Sequence, residues 1–144
     1  VIDEMSPRAA DADVRVERDL TTGIVLRLDS DKIRRVLKNL VSNAIDALEL
    51  RPEPRETGVV HVRAGSDLAG RNAWVRVEDN GPGVEPSQRD RIFMPFVTSK
   101  ENGTGLGLAI ARKLVEAHGG SLVLEDKNDG AAFAITLPIS SEVV

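Results

Sequence analysis

The sequence predicts an α+β domain, a mixed β-sheet with about three helices packed on one face. Three observations carry this. Apolar and polar residues alternate in several short runs, which is the periodicity of strands. Between them, apolar residues recur at helical spacing through Ile33, Leu37, Leu40, Ala44 and Leu48. Strands and helices also come in blocks, not in the strict alternation of a doubly wound sheet.

The elements follow in order. Residues 1–13 are small, acidic and proline-bearing, and read as a linker or loosely tied arm. Residues 14–18 alternate as a half-buried strand, and residues 24–28 read as a second. Asp29, Ser30 and Asp31 supply an N-cap for a long helix, which ends before Pro52 because proline cannot continue it. Residues 59–64 and 73–78 alternate as strands around a turn-like segment rich in Gly, Asn and Asp. Pro86 suits the first turn of a short helix over 86–92. Residues 94–104 show no periodicity and are expected to form a mobile loop. A helix over 106–118 is stopped by Gly119 and Gly120. Strands over 121–125 and 132–138 close the sheet. The domain is expected to span 14–140, with a tail over 141–144.

Composition bounds the function. At 144 residues the chain is near the commonest size for one domain. A net charge of −4 argues against a polyanion-binding surface such as one for nucleic acid. There is no Cys, which removes disulfides, thiolate zinc sites and a cysteine nucleophile. No apolar run reaches the ~20 residues of a membrane span, so no membrane contact is expected. The first residue is Val1, not Met, and a piece of a longer protein is expected.

Three clusters carry chemistry. On the long helix, Asn39, Asn43 and Asp46 fall together on a wheel of 3.6 residues per turn, opposite the aliphatic stripe. An Asn oxygen is a neutral hard ligand, suited to Mg²⁺ when phosphates supply the negative charge; a solvated polar face is the alternative. Asp79 directly follows a strand and precedes Gly81 and Gly83. It is placed to accept a hydrogen bond from the exocyclic amine of adenine, and a plain Asn-Gly/Pro-Gly turn is the alternative. Gly103, Thr104, Gly105, Leu106 and Gly107 open into the next helix, where orphan amides and the helix dipole attract phosphate. A glycine hinge is the alternative there. This is no Walker A loop, because Gly-Lys-Ser/Thr is absent, and Leu108 replaces the third glycine of Gly-x-Gly-x-x-Gly. Lys100, just ahead, could reach a terminal phosphate or be a solvated charge.

Together these residues resemble the catalytic and ATP-binding domain of a sensor histidine kinase, over about residues 14–138. Asn39-Leu40-Val41-Ser42-Asn43-Ala44 is similar to the N box and Asp79-x-Gly81-x-Gly83 to the G1 box. Phe93-Met94-Pro95-Phe96 is similar to the F box and Gly103-Thr104-Gly105-Leu106-Gly107-Leu108 to the G2 box. The stretch from Pro95 to Lys100 resembles nitrogen-regulation-type kinases. The resemblance implies a Bergerat-type α/β sandwich of the gyrase–chaperone–kinase superfamily that binds ATP and Mg²⁺. By carry-over, Asn43 ligates Mg²⁺ and Asn39 supports the phosphates. Asp79 reads the adenine amine. Lys100 and the glycines at 103, 105 and 107 hold the terminal phosphates from a lid, anchored by Phe93 and Phe96. The catalytic roles fall to Asn43 and Lys100. Two departures stand out: Ala131 replaces a common Ser or Thr, and Asp46 stands where many relatives carry a basic residue.

The resemblance also separates kinase from ATPase. Hydrolysing members of the superfamily carry a Glu four residues before the metal-binding Asn. Here that position is Asn39, whose amide cannot take a proton at neutral pH. Slow intrinsic hydrolysis is therefore expected. His61 and His118 both read as structural, so the acceptor histidine is expected on a separate dimerisation domain, with a response regulator receiver domain downstream. The implied setting is cytoplasmic, and the parent protein is left free to carry an inner-membrane anchor. The alternative is a nucleotide-binding or sensing module without productive phosphoryl transfer.

Overall fold

A computed structural model describes residues 1–21, 23–51, 56–96, 106–125, 127 and 129–139. The element order is α1 (Ile2–Asp11), β1 (Val14–Leu20), α2 (Ser30–Glu49), β2 (Gly58–Ser66), β3 (Asn72–Asp79), a short 3₁₀ turn (Pro86–Gln88), α3 (Gly107–Ala117), β4 (Ser121–Glu125) and β5 (Ala132–Pro138). The five strands form one mixed sheet in the order β1-β2-β3-β5-β4. Only β1 and β2 run parallel, and α2 lies in the crossover that a parallel pair requires.

The helices pack on one sheet face, as the sequence predicts. α2 supplies the largest share of the core, with Val36, Leu40, Val41, Ile45 and Leu48 at most 1% exposed. They meet Val60 of β2, Val77 of β3, Ile135 of β5 and Leu122 of β4, all likewise fully buried. The alternate residues of the strands face the other way and carry charge: Arg63, Arg76, Glu78 and Glu125.

The Asp29 cap forms as predicted, its carboxylate accepting from Lys32 N–H at 3.2 Å. At the same residue the backbone N–H donates to His118 Nε2 at 3.0 Å, while His118 Nδ1 lies 2.7 Å from the Leu114 carbonyl oxygen. With a donor on Nε2, the neutral ring must carry its proton on Nδ1 and give it to Leu114. His118 thus ties the end of α3 to the start of α2.

Three expectations need correction. The arm over 1–13 is a helix, with Ala9 and Ala12 buried and Ile2 and Met5 packed on the core. Its stability comes from tertiary partners that local reading cannot see: Glu4 pairs with Arg34 and Lys38, and Arg8 pairs with Asp46 and Glu49. Residues 24–28 form no strand. Their burial does alternate, with Leu26 and Leu28 against the core and Val25 82% exposed. The segment lies in no sheet ladder, so the alternation belongs to an extended connection. The short helix over 86–92 is a 3₁₀ turn continued by further turns, with Arg91 N–H bonded to the Gln88 carbonyl oxygen at 2.9 Å.

Candidate nucleotide-binding site

The site is built around Asp79, the last residue of β3, which faces Val60 of β2. Among the described residues Asp79 is the one buried polar or charged side chain, at 4% exposure. A buried carboxylate is costly unless donors meet it. Oδ1 accepts from Gly81 N–H at 2.9 Å and from Ala131 N–H at 3.4 Å. Among the described residues no hydrogen bond reaches Oδ2. Burial pushes the Asp79 carboxyl above the usual aspartate range, against the pull of both amides and of Lys127 and Arg51. Oδ2 is thus left able to accept a hydrogen bond from a further donor.

The loop after Asp79 is held backbone on backbone. Gly83 has φ +77°, and a Cβ there would lie 2.8 Å from the Gly130 carbonyl oxygen. A Cβ on Gly130 would lie 1.9 Å from the Asp79 carbonyl oxygen. Glycine is therefore demanded at 83 and 130 by this stacking, in addition to any ligand approach. Gly81 sits against α2: a Cβ on it would be 3.4 Å from Leu48 Cδ2 and 3.8 Å from the Ala47 carbonyl carbon.

At the other end of the site, Asn39 Nδ2 donates to the Gly107 carbonyl oxygen at 3.3 Å. Asn43 is half-buried, one turn further along α2. With a rise of about 1.5 Å per residue, Asn43 lies about one turn from the Asn39–Gly107 contact and one turn from the Ala47–Gly81 contact. The fold thus gathers Asn39, Asn43, Asp79, Gly81 and Gly107 along one side of α2, although they are spread over 69 positions. Leu106, half-buried, is the N-cap of α3, and its carbonyl accepts from Ile110 N–H. Lys100, Gly103, Thr104 and Gly105 lie outside the described residues.

Two other residues depart from the sequence reading. Asp46 does not join the two asparagines as a free charge, because Arg8 of α1 pairs with it. Phe93 packs edge-on against Phe133 with ring centroids 6.1 Å apart, and the Arg112 guanidinium covers its ring. Phe96, read as a second anchor, is 76% exposed at φ +68°. Among the described residues only Phe93 of the two packs against the core.

Sequence reasoning also missed Lys127, whose Nζ donates to the Asp79 carbonyl oxygen at 2.8 Å. It lies 48 residues from Asp79 in a polar turn, and no local signal separates it from a solvated lysine.

The donor set suits a nucleotide with its cation. Asn side-chain oxygens are hard neutral ligands that fit Mg²⁺ when phosphate oxygens complete the shell. Among the described residues no cluster of three His, Cys, Asp or Glu offers an all-protein metal cage.

Residues 28–141 match the family described as histidine kinase-, DNA gyrase B- and HSP90-like ATPases. The chain belongs to that family. Within this ATPase family it is an ATP-binding catalytic domain of the sensor histidine kinase type. It is 33% identical over 135 residues to nitrogen regulation protein NtrY of Azorhizobium caulinodans, covering 94% of this chain and 17% of that protein. It is 38% identical over 133 residues to the sensory histidine kinase/phosphatase NtrB of Escherichia coli O157:H7, covering 88% of this chain and 37% of that protein. The chain therefore spans well under half the length of either relative.

Solved structures agree. The nucleotide-free catalytic domain of histidine kinase ThkA superposes with a TM-score of 0.80 at 29% identity, over 94% of this chain and 86% of that one. Full-length ShkA in complex with AMPPNP superposes with a TM-score of 0.81 at 30% identity, over 99% and 29% of the two chains. ThkA in complex with the response regulator protein TrrA gives a TM-score of 0.77 at 25% identity, over 95% and 37%.

Proposed function

We propose that this domain presents Mg-ATP to a histidine on a separate dimerisation domain, whose phosphoryl group then passes to an aspartate of a response regulator. The observation that carries the nucleotide assignment is Asp79: buried, with Oδ1 engaged by the loop and Oδ2 available to an exocyclic amine. On this reading Asn43 holds Mg²⁺ together with phosphate oxygens and Asn39 supports the phosphate chain. Lys100, Gly103, Thr104, Gly105, Leu106 and Gly107 steady its terminal end. The bound Mg²⁺ would neutralise phosphate charge. The chain's own contribution is to fix the purine at one end of α2 and the phosphates at the other, and positioning accounts for most of phosphoryl-transfer catalysis.

The acceptor is assigned elsewhere for a physical reason. Both ring nitrogens of His118 are engaged, by Asp29 and by Leu114. His61 lies on β2, its Nδ1 3.4 Å from Arg63. The resemblance to NtrB and NtrY supports the two-component assignment, and the complex of ThkA with TrrA supports a receiver domain as partner. Among the described residues no helix is long and apolar enough to cross a membrane; the reading places the domain in the cytoplasm, where ATP is available.

The test is a transfer assay in trans. The domain is mixed with Mg-ATP and a separately produced acceptor-helix domain from the same protein. Acid-labile, base-stable phosphohistidine is expected, with very slow ATP hydrolysis by the domain alone because Asn39 replaces the hydrolytic Glu. Tight ATP binding with no transfer to that acceptor would establish a nucleotide-sensing module instead.

A further inference from the structure

We infer that Lys127 is a positioning residue for purine recognition, holding the Asp79 peptide in register from the β4–β5 turn. The inference rests on the reading of Asp79 as the group that meets the base.

Four contacts converge on one residue, Asp79. Asp79 N–H donates to the Ala131 carbonyl oxygen at 2.9 Å, Ala131 N–H reaches Oδ1, and Gly130 lies against the Asp79 carbonyl. Lys127 Nζ then donates to that carbonyl at 2.8 Å. The β3–β5 ladder ends one residue earlier, at Glu78 and Ala132, so Lys127 serves a carbonyl beyond the last strand pair. Every one of these contacts comes from the β4–β5 turn, while Oδ1 also accepts from Gly81 N–H in the loop that follows β3.

Lys127 is itself held. Its Nζ lies 3.8 Å from Glu78 Oε2, and Glu78 Oε1 lies 3.8 Å from Arg76 Nε. Arg76 in turn makes a two-pronged bond to Glu125, at 2.6 and 3.2 Å. Alternating charges therefore run Glu125–Arg76–Glu78–Lys127 along the outer sheet face and end behind Asp79. They line a shallow cleft floored by Ala132. Glu78 and Lys127 keep only 16% and 27% side-chain exposure, so the chain of charges is partly shielded from solvent.

The charged groups facing Asp79 are Lys127 from the turn and Arg51 from just beyond α2, both favouring its ionised form, with Glu78 next to it along the strand. Removing Lys127 disfavours the carboxylate that accepts from the base. ATP binding should then fail at a higher pH on acidification.

The experiment is a double-mutant cycle on ATP affinity, read by calorimetry across pH 5–8. Lys127→Met is expected to weaken ATP about three- to tenfold, the range of one net hydrogen bond, and to move the acid limb upward. Lys127→Arg should restore most of both. In an Asp79→Asn background Lys127→Met should have little further effect, because its action passes through Asp79. Equal losses in both backgrounds, or no loss in either, would overturn the inference. If instead Asp79→Asn alone leaves ATP affinity unchanged, it is the base-reading role of Asp79 that fails. ITP, in which oxygen replaces the exocyclic amine, gives a second readout. Lys127→Met should affect ITP less than ATP, and an equal effect would point to general distortion and count against the positioning role.

Discussion

A single carboxylate concentrates the conflict between stability and function. Burial raises the pKa of Asp79 in the folded chain, so the folded state retains a proton that the unfolded state has already released. Between the two pKa values the native state binds more protons, and stability falls as pH rises through that window. Above it the cost is constant. Asp79→Asn removes the charge while leaving an oxygen that can accept from Gly81 and Ala131. We expect the nucleotide-free variant to be more stable than the parent at pH 7–8, with the difference vanishing on acidification below the ordinary aspartate pKa. The same variant should bind ATP about ten- to a hundredfold more weakly, the range of a charge-assisted hydrogen bond. Urea titrations at several pH values, paired with calorimetry, check both halves. A variant that is less stable than the parent at neutral pH would contradict the assigned cost of burial.

At the scale of elements, α2 organises the molecule. One face is sealed into the core, and along another side lie the contacts to Gly107 and Gly81 that bracket Asn43. α1 is fastened to the same helix through Arg8, whose guanidinium meets Asp46 and Glu49 and is held strongly protonated by them, by Glu49 most. Arg8→Ala should loosen α1 and cost about 1 kcal/mol, the sum expected of two partly exposed pairs. The loss should shrink at high salt, since screening weakens exposed pairs. Hydrogen exchange should rise across α1 and stay protected across the centre of α2. Unchanged exchange in α1 would show that Ala9, Ala12, Met5 and the Glu4 pairs hold the helix without Arg8.

For the whole molecule, ligand and fold are linked by mass action. At 100 times its dissociation constant, Mg-ATP should add about 2.7 kcal/mol of stability. For a domain of this length that is a rise of roughly 5–11 °C in Tm. Asn43→Ala should erase the Mg²⁺-dependent part of this rise while leaving the nucleotide-free Tm close to that of the parent, because the side chain is only half-buried. The absence of any shift with adenine nucleotides would remove the basis of the proposed function.

Much of this was legible in the order of residues. The period-3.6 stripe through Ile33, Leu40 and Leu48 defined α2 and its cap at Asp29, and β3, β4 and β5 lay close to where alternation placed them, because periodicity records which side of an element meets the core. The four boxes carried the resemblance to the family and singled out Asn39, Asn43, Asp79 and Gly107 by motif spacing alone. What escaped depended on contacts between distant segments. α1 is a helix because Arg34, Lys38, Asp46 and Glu49 wait for it on α2. Residues 24–28 alternate without joining the sheet, since a strand needs a neighbouring strand and no periodicity supplies one. Phe93 and Phe96 look equivalent in sequence, yet only one finds Phe133. Lys127 reaches the Asp79 carbonyl oxygen from 48 positions away, a contact no local pattern announces. Local pattern determined the elements and the chemistry they carry, because both are written in spacing along the chain. The tertiary structure alone decided which charges are paired and which carboxylate is buried, because pairing and desolvation are properties of neighbours in space.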